Sequence, residues 1–341
     1  MHVQTSLFDE PAYEPDFSLY DRYLVMASGG KDSLACLLTL LDRGVSRDRI
    51  VLYHQRIDGE PEAVPFFDWP CTDRYVALIG QHFDIPVHWQ WRQGGFQAEL
   101  YRANAISQPV EFVHGPLHDV IPVTQAQPNT RRKFPALSAN LAIRWCSSAL
   151  KTDVAARAIT HDATLQGTLN KPKRILVLTG ERREESAARS HYAEYERYRA
   201  WSRRRQVDLW RPVIDWSEEK VWAIIRRYRL LPHPAYLLGY SRCSCMACIF
   251  SGPNHWAMMQ VLAPDRFERI AQAEKDLGFT IKQGISICDQ AQRGTLDRMP
   301  KDWEQYRRWA LEPNTLTSVE WHWPDSWYPA GAFHGSEGGS L

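Results

Sequence analysis

The first 90 residues alternate between short continuous apolar runs and stretches with helical spacing. Three runs have the length and continuity of buried strands, at positions 23–27, 50–54 and 85–91. Two stretches have the apolar spacing of helices, at positions 34–41 and 75–83. This alternation predicts an α/β protein with a parallel sheet and crossover helices.

The pattern changes after position 105. Proline, glycine and polar residues dominate positions 105–135, which predicts a long irregular connection with at most short helical turns, of the kind that often serves as a lid. A helix is predicted at 138–158 and a fourth strand at 175–179. That strand is continuous and apolar, as a central parallel strand should be, and it runs into Gly180.

Helical patterns dominate the rest of the chain. An apolar run at 209–214 precedes Ser217, a good N-cap for an amphipathic helix that ends at Pro232. Helical spacing returns at 256–262 and 267–277. We find no internal repeat or low-complexity tract.

The composition suits a folded enzyme and excludes a global attraction to polyanions. The 341 residues are 44% hydrophobic and 24% charged, with 41 Lys and Arg against 40 Asp and Glu and a formal charge of +1. Contact with nucleic acid must therefore be local. The segment from Arg197 to Arg205 interleaves Tyr198 and Trp201 with arginines, so it could bind DNA, or it could be an ordinary solvated basic face.

Membrane and secretory signals are not found in the sequence. No stretch approaches the ~20 apolar residues of a membrane span, and the polar start, 1–16, lacks the hydrophobic middle of a secretory signal. We therefore expect a cytoplasmic protein with no membrane contact. A reducing compartment argues against disulfides, so the seven cysteines are expected to serve metal binding, redox chemistry or ordinary packing.

The most specific signal is the loop after the first predicted strand. It consists of Ser28, Gly29, Gly30, Lys31, Asp32 and Ser33. A loop between a buried strand and a helix brings free backbone N–H groups and the helix dipole to one anion. Its glycines allow close approach, its lysine adds charge and its serines add hydroxyl donors. The lysine follows the glycines too closely for a Walker A loop.

This hexapeptide resembles the signature of the nucleotide alpha hydrolases, the superfamily of ATP pyrophosphatases, sulfonucleotide reductases and thiolation enzymes. Two further segments resemble motifs of the phosphoadenosine phosphosulfate reductase family. They are Arg144, Trp145 and Cys146 followed by Lys151, and the run from Gly180 to Ser186 with Arg189. The resemblance implies a Rossmann-like parallel sheet flanked by helices, of the adenine nucleotide alpha hydrolase type. It also implies a nucleotide held or cleaved between its α and β phosphates.

The Gly180 segment is expected to face the loop. Gly180 ends the fourth predicted strand at the carboxyl edge of the sheet, where open α/β sheets bind ligands. Arg182 and Arg189 could bind phosphate oxygens, and Ser186 could add a hydroxyl. The alternative is a surface helix in which Glu184, Glu185 and Arg189 form ion pairs within the helix.

We therefore predict a binding site for ATP, accompanied by Mg²⁺, formed by the loop and the Gly180 segment. Lys31, Asp32 and Arg182 are the predicted catalytic residues.

Three cysteines lie within six residues, at Cys243, Cys245 and Cys248. That density is rare in ordinary packing and indicates a soft metal. Cys146 brings the set to four thiols, which suits either a [4Fe-4S] cluster or tetrahedral zinc. Cluster-bearing sulfonucleotide reductases carry an early cysteine pair and a later Cys-x-x-Cys. This resemblance favours the cluster, with Cys146 at the early site, Cys245 and Cys248 as the later pair, and Cys243 as the remaining ligand.

The tail departs from the reductase pattern. Those enzymes attack the sulfonucleotide with a cysteine in a C-terminal Glu-Cys-Gly-(Ile/Leu)-His motif, and this sequence has no cysteine after Cys288. The combination of loop and cysteines without that thiol resembles the ATP pyrophosphatase component of DNA phosphorothioation systems of the Dnd and Ssp types. The resemblance implies that an acceptor oxygen, with a DNA backbone phosphate favoured, attacks the α-phosphate of ATP and expels pyrophosphate. A partner cysteine desulfurase would then supply sulfur.

Three other functions stay open at this stage. One is a reductase or sulfotransferase that acts on phosphoadenosine phosphosulfate with an external thiol, and another is a tRNA thiolation enzyme. The third is a nonenzymatic nucleotide-sensing subunit, since fold does not fix function. In each case we expect an N-terminal arm at 1–20, a nucleotide-binding α/β domain at 21–240 and a cysteine-containing, mainly helical extension at 241–341.

Overall fold

The computed structural model describes residues 15–124, 126–138 and 140–335. In this part the chain forms an eight-stranded sheet. Its strands are β1 (Arg22–Met26), β2 (Ile50–Arg56), β3 (Val87–Arg92), β4 (Val110–His114), β5 (Leu117–Ile121), β6 (Lys173–Leu178), β7 (Tyr195–Arg197) and β8 (Arg205–Trp210). Their spatial order is β5-β4-β3-β2-β1-β6-β8-β7. The central strands β3, β2, β1, β6 and β8 pair in parallel, and β4, β5 and β7 add antiparallel edges. The predicted parallel sheet is confirmed as the centre of a mixed sheet.

Helices cover both faces of this sheet. They are α1 (Lys31–Asp42), α2 (Thr72–Phe83), α3 (Gly95–Tyr101), α4 (Trp145–Ser147), α5 (Asp153–His161), α6 (Glu218–Arg227), α7 (Pro234–Leu237), α8 (Pro253–Leu262), α9 (Pro264–Leu277), α10 (Ile287–Gln292) and α11 (Trp303–Leu311). A π-helical turn, Ser148–Thr152, joins α4 to α5.

Alternate residues of the central strands point to opposite faces. On β1, Tyr23 and Val25 pack in the apolar cluster that contains α1, α2 and α6, whereas Leu24 packs in the cluster that contains α5. Helices α8 to α11 contribute to the first cluster. Because both faces are covered, the central strands are continuous apolar runs without polar alternation.

The segment 105–135 differs from its prediction, because it contains a β-hairpin. Strands β4 and β5 pair antiparallel on either side of a turn at Gly115, whose φ is +57°. Val110 and Phe112 are buried while Glu111 between them is half-buried. This alternation has the strand period, and it was obscured by the prolines and glycines around it.

The helix predicted at 138–158 begins later than expected. Helical structure starts at Trp145, because the side chain of Asn140 accepts the N–H of Ala142 at 2.9 Å and holds the preceding residues in a turn. The helix then continues beyond its predicted end, to His161.

The region before α6 is only partly strand. β8 ends at Trp210, and in the following turn the N–H of Ile214 donates to the carbonyl of Arg211. The helix expected after Ser217 is confirmed, because the Ser217 hydroxyl accepts the N–H of Lys220 at the start of α6.

The ends of the chain are described only in part. The predicted arm at 1–20 lies outside the described residues except for 15–20, and so do residues 336–341. None of the helices in the described ranges combines the length and the apolar character needed to cross a bilayer. The three-segment division of the chain stays a prediction.

Candidate active site

The predicted phosphate loop turns directly from β1 into α1. Gly29 has a φ of +80°, a conformation that glycine adopts without strain, and Gly30 is the N-cap of α1. The Ser33 hydroxyl donates to the carbonyl of Gly30 at 2.9 Å, and Ser28 Oγ lies 3.2 Å from Ser33 Oγ. The loop therefore sits at the carboxyl edge of the sheet with its serines already oriented, next to the positive end of α1.

Lys31 is held under α6 and is only 6% exposed. Its ammonium lies 3.4 Å from Asp32 Oδ2 and 3.8 Å from Glu218 Oε1, and it faces the rings of Trp222 and Tyr236 at 6.0 and 5.6 Å from their centroids. Two carboxylates and two aromatic faces thus stabilise a nearly buried positive charge beside the loop.

The Gly180 segment docks directly on the loop, as expected. Arg182 Nε donates to Asp32 Oδ1 at 2.6 Å, and the same guanidinium contacts Glu184 and the carbonyl of Trp216. A Cβ added to Gly180 would lie 2.6 Å from the carbonyl carbon of Asp32, so the backbones of the two motifs touch. Arg182 is 3% exposed and links the motifs within the protein.

Asp32 is the centre of this charge network. Burial alone would raise the pKa of its carboxyl group, but the charges of Lys31 and Arg182, together with hydrogen bonds from both, lower the pKa below its ordinary value. Asp32 therefore stays ionised at neutral pH and keeps the two cations in position.

Arg189 lines the same cavity as three of the cysteines and does not contact the loop in the described contacts. The Arg189 guanidinium pairs with Glu185, and the backbone N–H of Arg189 donates to the Ser186 hydroxyl at 3.3 Å. The segment forms two short 3-10 turns, so the alternative of a regular surface helix is wrong, although the expected ion pair is present. The arginine side chain lines a cavity of about 310 Å³, the cysteine cavity.

Three of the four predicted metal ligands line the cysteine cavity. Cys146, Cys245 and Cys248 share it with Lys151 and Arg189. Burial raises the pKa of the Cys146 thiol, and the neighbouring Cys248 raises it further. The positive charges of Lys151 and Arg189 are of the sign that would stabilise thiolates or a bound anion.

Cys243 faces a different, smaller cavity of about 40 Å³, the loop cavity. Ser28, Asp68 and Lys151 also line it, as does Cys245, which connects it to the cysteine cavity. Asp68 follows a turn in which the carboxylate of Asp58 accepts backbone N–H groups at 2.8 to 2.9 Å. Burial, and then the charge of Asp58, raise the pKa of Asp68 to about 6. Phosphate loop, thiol and carboxylate therefore share one space.

Four thiols are the type of ligand that a soft metal prefers, but they are not arranged around a single metal position. Within the described ranges, no three His, Cys, Asp or Glu side chains are arranged so that they could hold a metal ion. Cys146, Cys245 and Cys248 share a cavity, whereas Cys243 lies on the side of the loop. The donor set thus agrees with the prediction in its chemistry, and the identity of any metal stays a prediction.

The basic segment from Arg197 to Arg205 is only partly available to a ligand. Arg205 is buried and donates to the carbonyls of Ala200 and Thr160 at 3.0 and 3.2 Å, so it serves the fold. Arg197 is exposed and stacks on the ring of Trp201, with 4.4 Å from its guanidinium carbon to the centroid.

The sequence of the site is similar to that of known proteins. A model of the phosphoadenosine phosphosulfate reductase domain matches residues 22–250, which contain the loop, the Gly180 segment and all four cysteines. The chain belongs to this family. Its membership supports adenine-nucleotide binding and sulfonucleotide-related or ATP pyrophosphatase-like activity.

The relatives differ in the share of this chain that they match. An uncharacterized 37.8 kDa protein of Escherichia phage 186 is 28% identical over 273 residues, 77% of each chain. Adenosine 5'-phosphosulfate reductase of Neisseria meningitidis is 37% identical over 73 residues, 21% of this chain and 28% of the reductase. The crystal structure of Candida glabrata FMN adenylyltransferase aligns with 70% of this chain and 57% of its own, at 9% identity and a TM-score of 0.32.

Sequence reasoning missed several residues of the site. Glu218 was predicted only as part of a capped helix, yet it contacts Lys31. Tyr236, whose hydroxyl accepts the N–H of Lys31 at 3.1 Å, and Asp68 belong to no motif. Only Glu218 had a usable signal, an acidic residue in the first turn of α6.

Proposed function

We propose that the protein binds ATP at the loop from Ser28 to Ser33 and activates an acceptor for sulfur incorporation, with a DNA backbone phosphate as the acceptor. The observation that carries this proposal is that Ser28, Cys243 and Cys245 line the same loop cavity. Nucleotide phosphates at the loop would lie next to the thiols, which brings the proposed activation step and the proposed cysteine centre together in one space.

The proposed chemistry has two displacements. The acceptor oxygen forms a bond to the α-phosphorus of ATP as the bond to pyrophosphate breaks. A persulfide sulfur from a partner cysteine desulfurase then attacks the phosphorus of the acceptor and displaces AMP, which carries away the original acceptor oxygen. A second thiol of the donor cleaves the sulfur–sulfur bond, so that one sulfur stays on the acceptor and the donor is left as a disulfide.

Each predicted catalytic residue has a role in the first displacement. Lys31 and the N-terminus of α1 supply positive charge where the phosphates gather. Asp32 positions Lys31 and Arg182 by direct contacts at 3.4 and 2.6 Å. Mg²⁺ is proposed to arrive with ATP and to neutralise the phosphate oxygens.

The cysteines are proposed as ligands of a [4Fe-4S] cluster, with zinc as the alternative. Cys146, Cys243, Cys245 and Cys248 would hold it. A cluster would supply a tunable redox centre beside the nucleotide, and we assign no step of the reaction to it.

The basic segment is proposed to guide DNA toward this site. Arg199 Nη1 lies 3.4 Å from Thr152 Oγ1, and Thr152 lines the cysteine cavity. Arg199 therefore reaches the rim of the cavity, and the exposed arginines 197, 203 and 204 belong to the same segment.

Anaerobic purification followed by iron and sulfide analysis and an optical spectrum tests the cysteine assignment. On the same sample, pyrophosphate release from ATP is measured with and without DNA, for the native chain and for Lys31→Met. We expect iron, and DNA-stimulated release that Lys31→Met abolishes. Absence of pyrophosphate release from ATP under both conditions would contradict the proposal.

A second candidate is a reductase or sulfotransferase that takes a sulfonucleotide and an external thiol. The matches to adenosine 5'-phosphosulfate reductases favour it, although they span only about a quarter of those enzymes. Calorimetric titration with ATP and with phosphoadenosine phosphosulfate separates the two, since the second candidate binds the sulfonucleotide more tightly and releases sulfite with added thiol. Thiolation of tRNA, or nucleotide binding without turnover, are the remaining outcomes of these assays.

A further inference from the structure

A large basic cavity lies beside the cysteine cavity and has no part in the site described above. Its volume is about 660 Å³, room for on the order of twenty water molecules. Arg102, Arg131 and Lys133 line it, together with Asn129 and Thr130, and the described lining residues include no carboxylate. We call it the basic cavity.

The positive charge of the basic cavity is not fully neutralised. Glu99, which is 1% exposed, accepts Arg102 Nη1 at 3.3 Å and Arg131 Nε at 2.8 Å. One carboxylate therefore serves two guanidinium groups, and Lys133 adds a third charge. The neighbouring Arg92 lies 4.0 Å from the same Glu99 carboxylate and pairs more closely with Asp153, at 2.6 Å.

Arg102 also lacks part of its hydrogen bonding. Its side chain is 8% exposed, and its buried Nε has no hydrogen-bond partner among the described residues. Buried cationic N–H groups are normally satisfied, since each unmet donor costs on the order of 1–3 kcal/mol. An anion in the basic cavity would supply the missing negative charge.

The loop that presents these residues is held in place before any ligand arrives. The N–H of Arg131 donates to the carbonyl of Arg102 at 2.9 Å, and the N–H of Asn104 donates to Thr130 Oγ1 at 2.9 Å. Arg132 has a φ of +46°, which a non-glycine residue adopts only when its surroundings enforce it. The cationic groups are therefore preorganised.

The basic cavity and the cysteine cavity share a wall. Along the segment 141–147, Ile143 and Trp145 line the basic cavity while Arg144 and Cys146 line the cysteine cavity. The guanidinium carbon of Arg131 lies 4.7 Å from the Trp145 ring centroid, so the wall is packed against the basic residues. A chain bound in one cavity needs to cross only this segment to reach the thiols.

We propose that the basic cavity binds a backbone phosphate of the nucleic-acid strand on which the protein acts. The inference rests on the proposed function for the nature of the acceptor. The cavity is larger than one inorganic phosphate. Neutral donors such as Asn129 and Thr130 beside cationic groups are typical of side chains that contact phosphodiesters. The buried rings of Trp145 and Phe134 leave the phosphates, rather than the bases, as the recognised feature.

Fluorescence anisotropy of a labelled single-stranded oligonucleotide, without ATP, tests the proposal on the full chain as purified under anaerobic conditions. We expect Lys133→Gln and Arg131→Gln each to weaken binding several-fold. Each should also lower the slope of log affinity against log salt by about 0.7, the loss of one phosphate contact to a single strand. Lys301→Gln removes an exposed lysine elsewhere and should change neither quantity.

Two further measurements make the result decisive. ATP affinity should be unchanged in both variants, which shows that the fold and the loop are intact. Unaltered oligonucleotide affinity and salt slope in both variants would overturn the inference, as would a native chain that does not bind the oligonucleotide at all. Oligonucleotide binding is measured without turnover. Failure of the proposed ATP reaction can therefore be distinguished from failure of the proposed phosphate site.

Discussion

Arg182 Nε lies 2.6 Å from Oδ1 of Asp32, and the two residues are separated by 150 positions in the chain. This contact joins the loop after β1 to the segment after β6, two neighbouring parallel strands. Each of the two charges is compensated both within its own motif, by Lys31 or Glu184, and across the motifs by this contact.

Arg182→Met should therefore destabilise the fold and abolish nucleotide binding together. Removing one member of a buried ion pair leaves the other charge uncompensated and costs about 3–5 kcal/mol. Thermal unfolding and ATP titration measure both effects. Arg183→Met is the matched control, because Arg183 pairs with the exposed Asp215 and such surface pairs contribute about 1 kcal/mol or less. Equal stability losses in the two variants would contradict the assignment.

Gly180→Ala should displace the start of α1. A methyl group at this position would lie 2.6 Å from the Asp32 carbonyl carbon and 2.8 Å from the N of Ser33, both backbone atoms that cannot rotate away. We expect a lower melting temperature and at least tenfold weaker ATP binding. Gly284→Ala, which has a φ of +75° and open space around it, should lower stability slightly and leave ATP binding alone.

Stability should fall as the pH drops from about 6.5 toward 4. Burial lowers the pKa of His233 to about 3 and that of His255 to about 4, against an ordinary value of 6.5. In this range the unfolded chain binds protons that the folded chain does not, so each histidine reduces stability by about 1.4 kcal/mol per pH unit.

Urea unfolding at several pH values measures this dependence. His233→Gln should reduce the slope of unfolding free energy against pH by the contribution of one proton. His322→Gln, at an exposed position, is the control. A slope unchanged in His233→Gln would show that His233 is not held neutral by burial.

Asp58→Ala should distort the wall of the loop cavity. Its carboxylate accepts the N–H groups of Phe66, Phe67 and Asp68, so its loss leaves three donors unsatisfied at about 1–3 kcal/mol each. Asp58→Asn keeps an acceptor oxygen and should retain more of the stability. Hydrogen exchange of the Phe67 amide should be faster in the alanine variant, and equal exchange in both variants would contradict this role.

The strands and helices of the parallel centre could be predicted because both faces of the sheet are buried. Continuous apolar runs such as Val51 to Tyr53 exist for that reason. The β4–β5 hairpin was missed because it lies at the edge, where strands are short and alternating. Exposed residues such as Leu117 and His118 of β5 then resemble loop residues.

The parts of the site that belong to one continuous loop could be predicted from the sequence. The contacts between segments far apart in the chain could not. Gly29 and Gly30 before a helical pattern predict a tight turn from the sequence alone. The contact of Lys31 with Glu218, and the place of Asp68 beside Ser28, depend on how α6 and the turn at 58–68 pack on the sheet. No local pattern encodes such packing. The separation of Cys243 from the other three cysteines was unpredictable for the same reason.

The carbonyl oxygen of Cys243 approaches Gly30 so closely that a Cβ on this glycine would be 3.4 Å away. A ligand that shifts the cysteine segment therefore also shifts the cap of α1, and the free energies of binding at the two places are coupled. Such coupling is reciprocal: if an occupant of the cysteines changes nucleotide affinity by some factor, the nucleotide changes the affinity for that occupant by the same factor. If ATP binds at the proposed loop, its affinity should therefore report whether the proposed cysteine site is occupied.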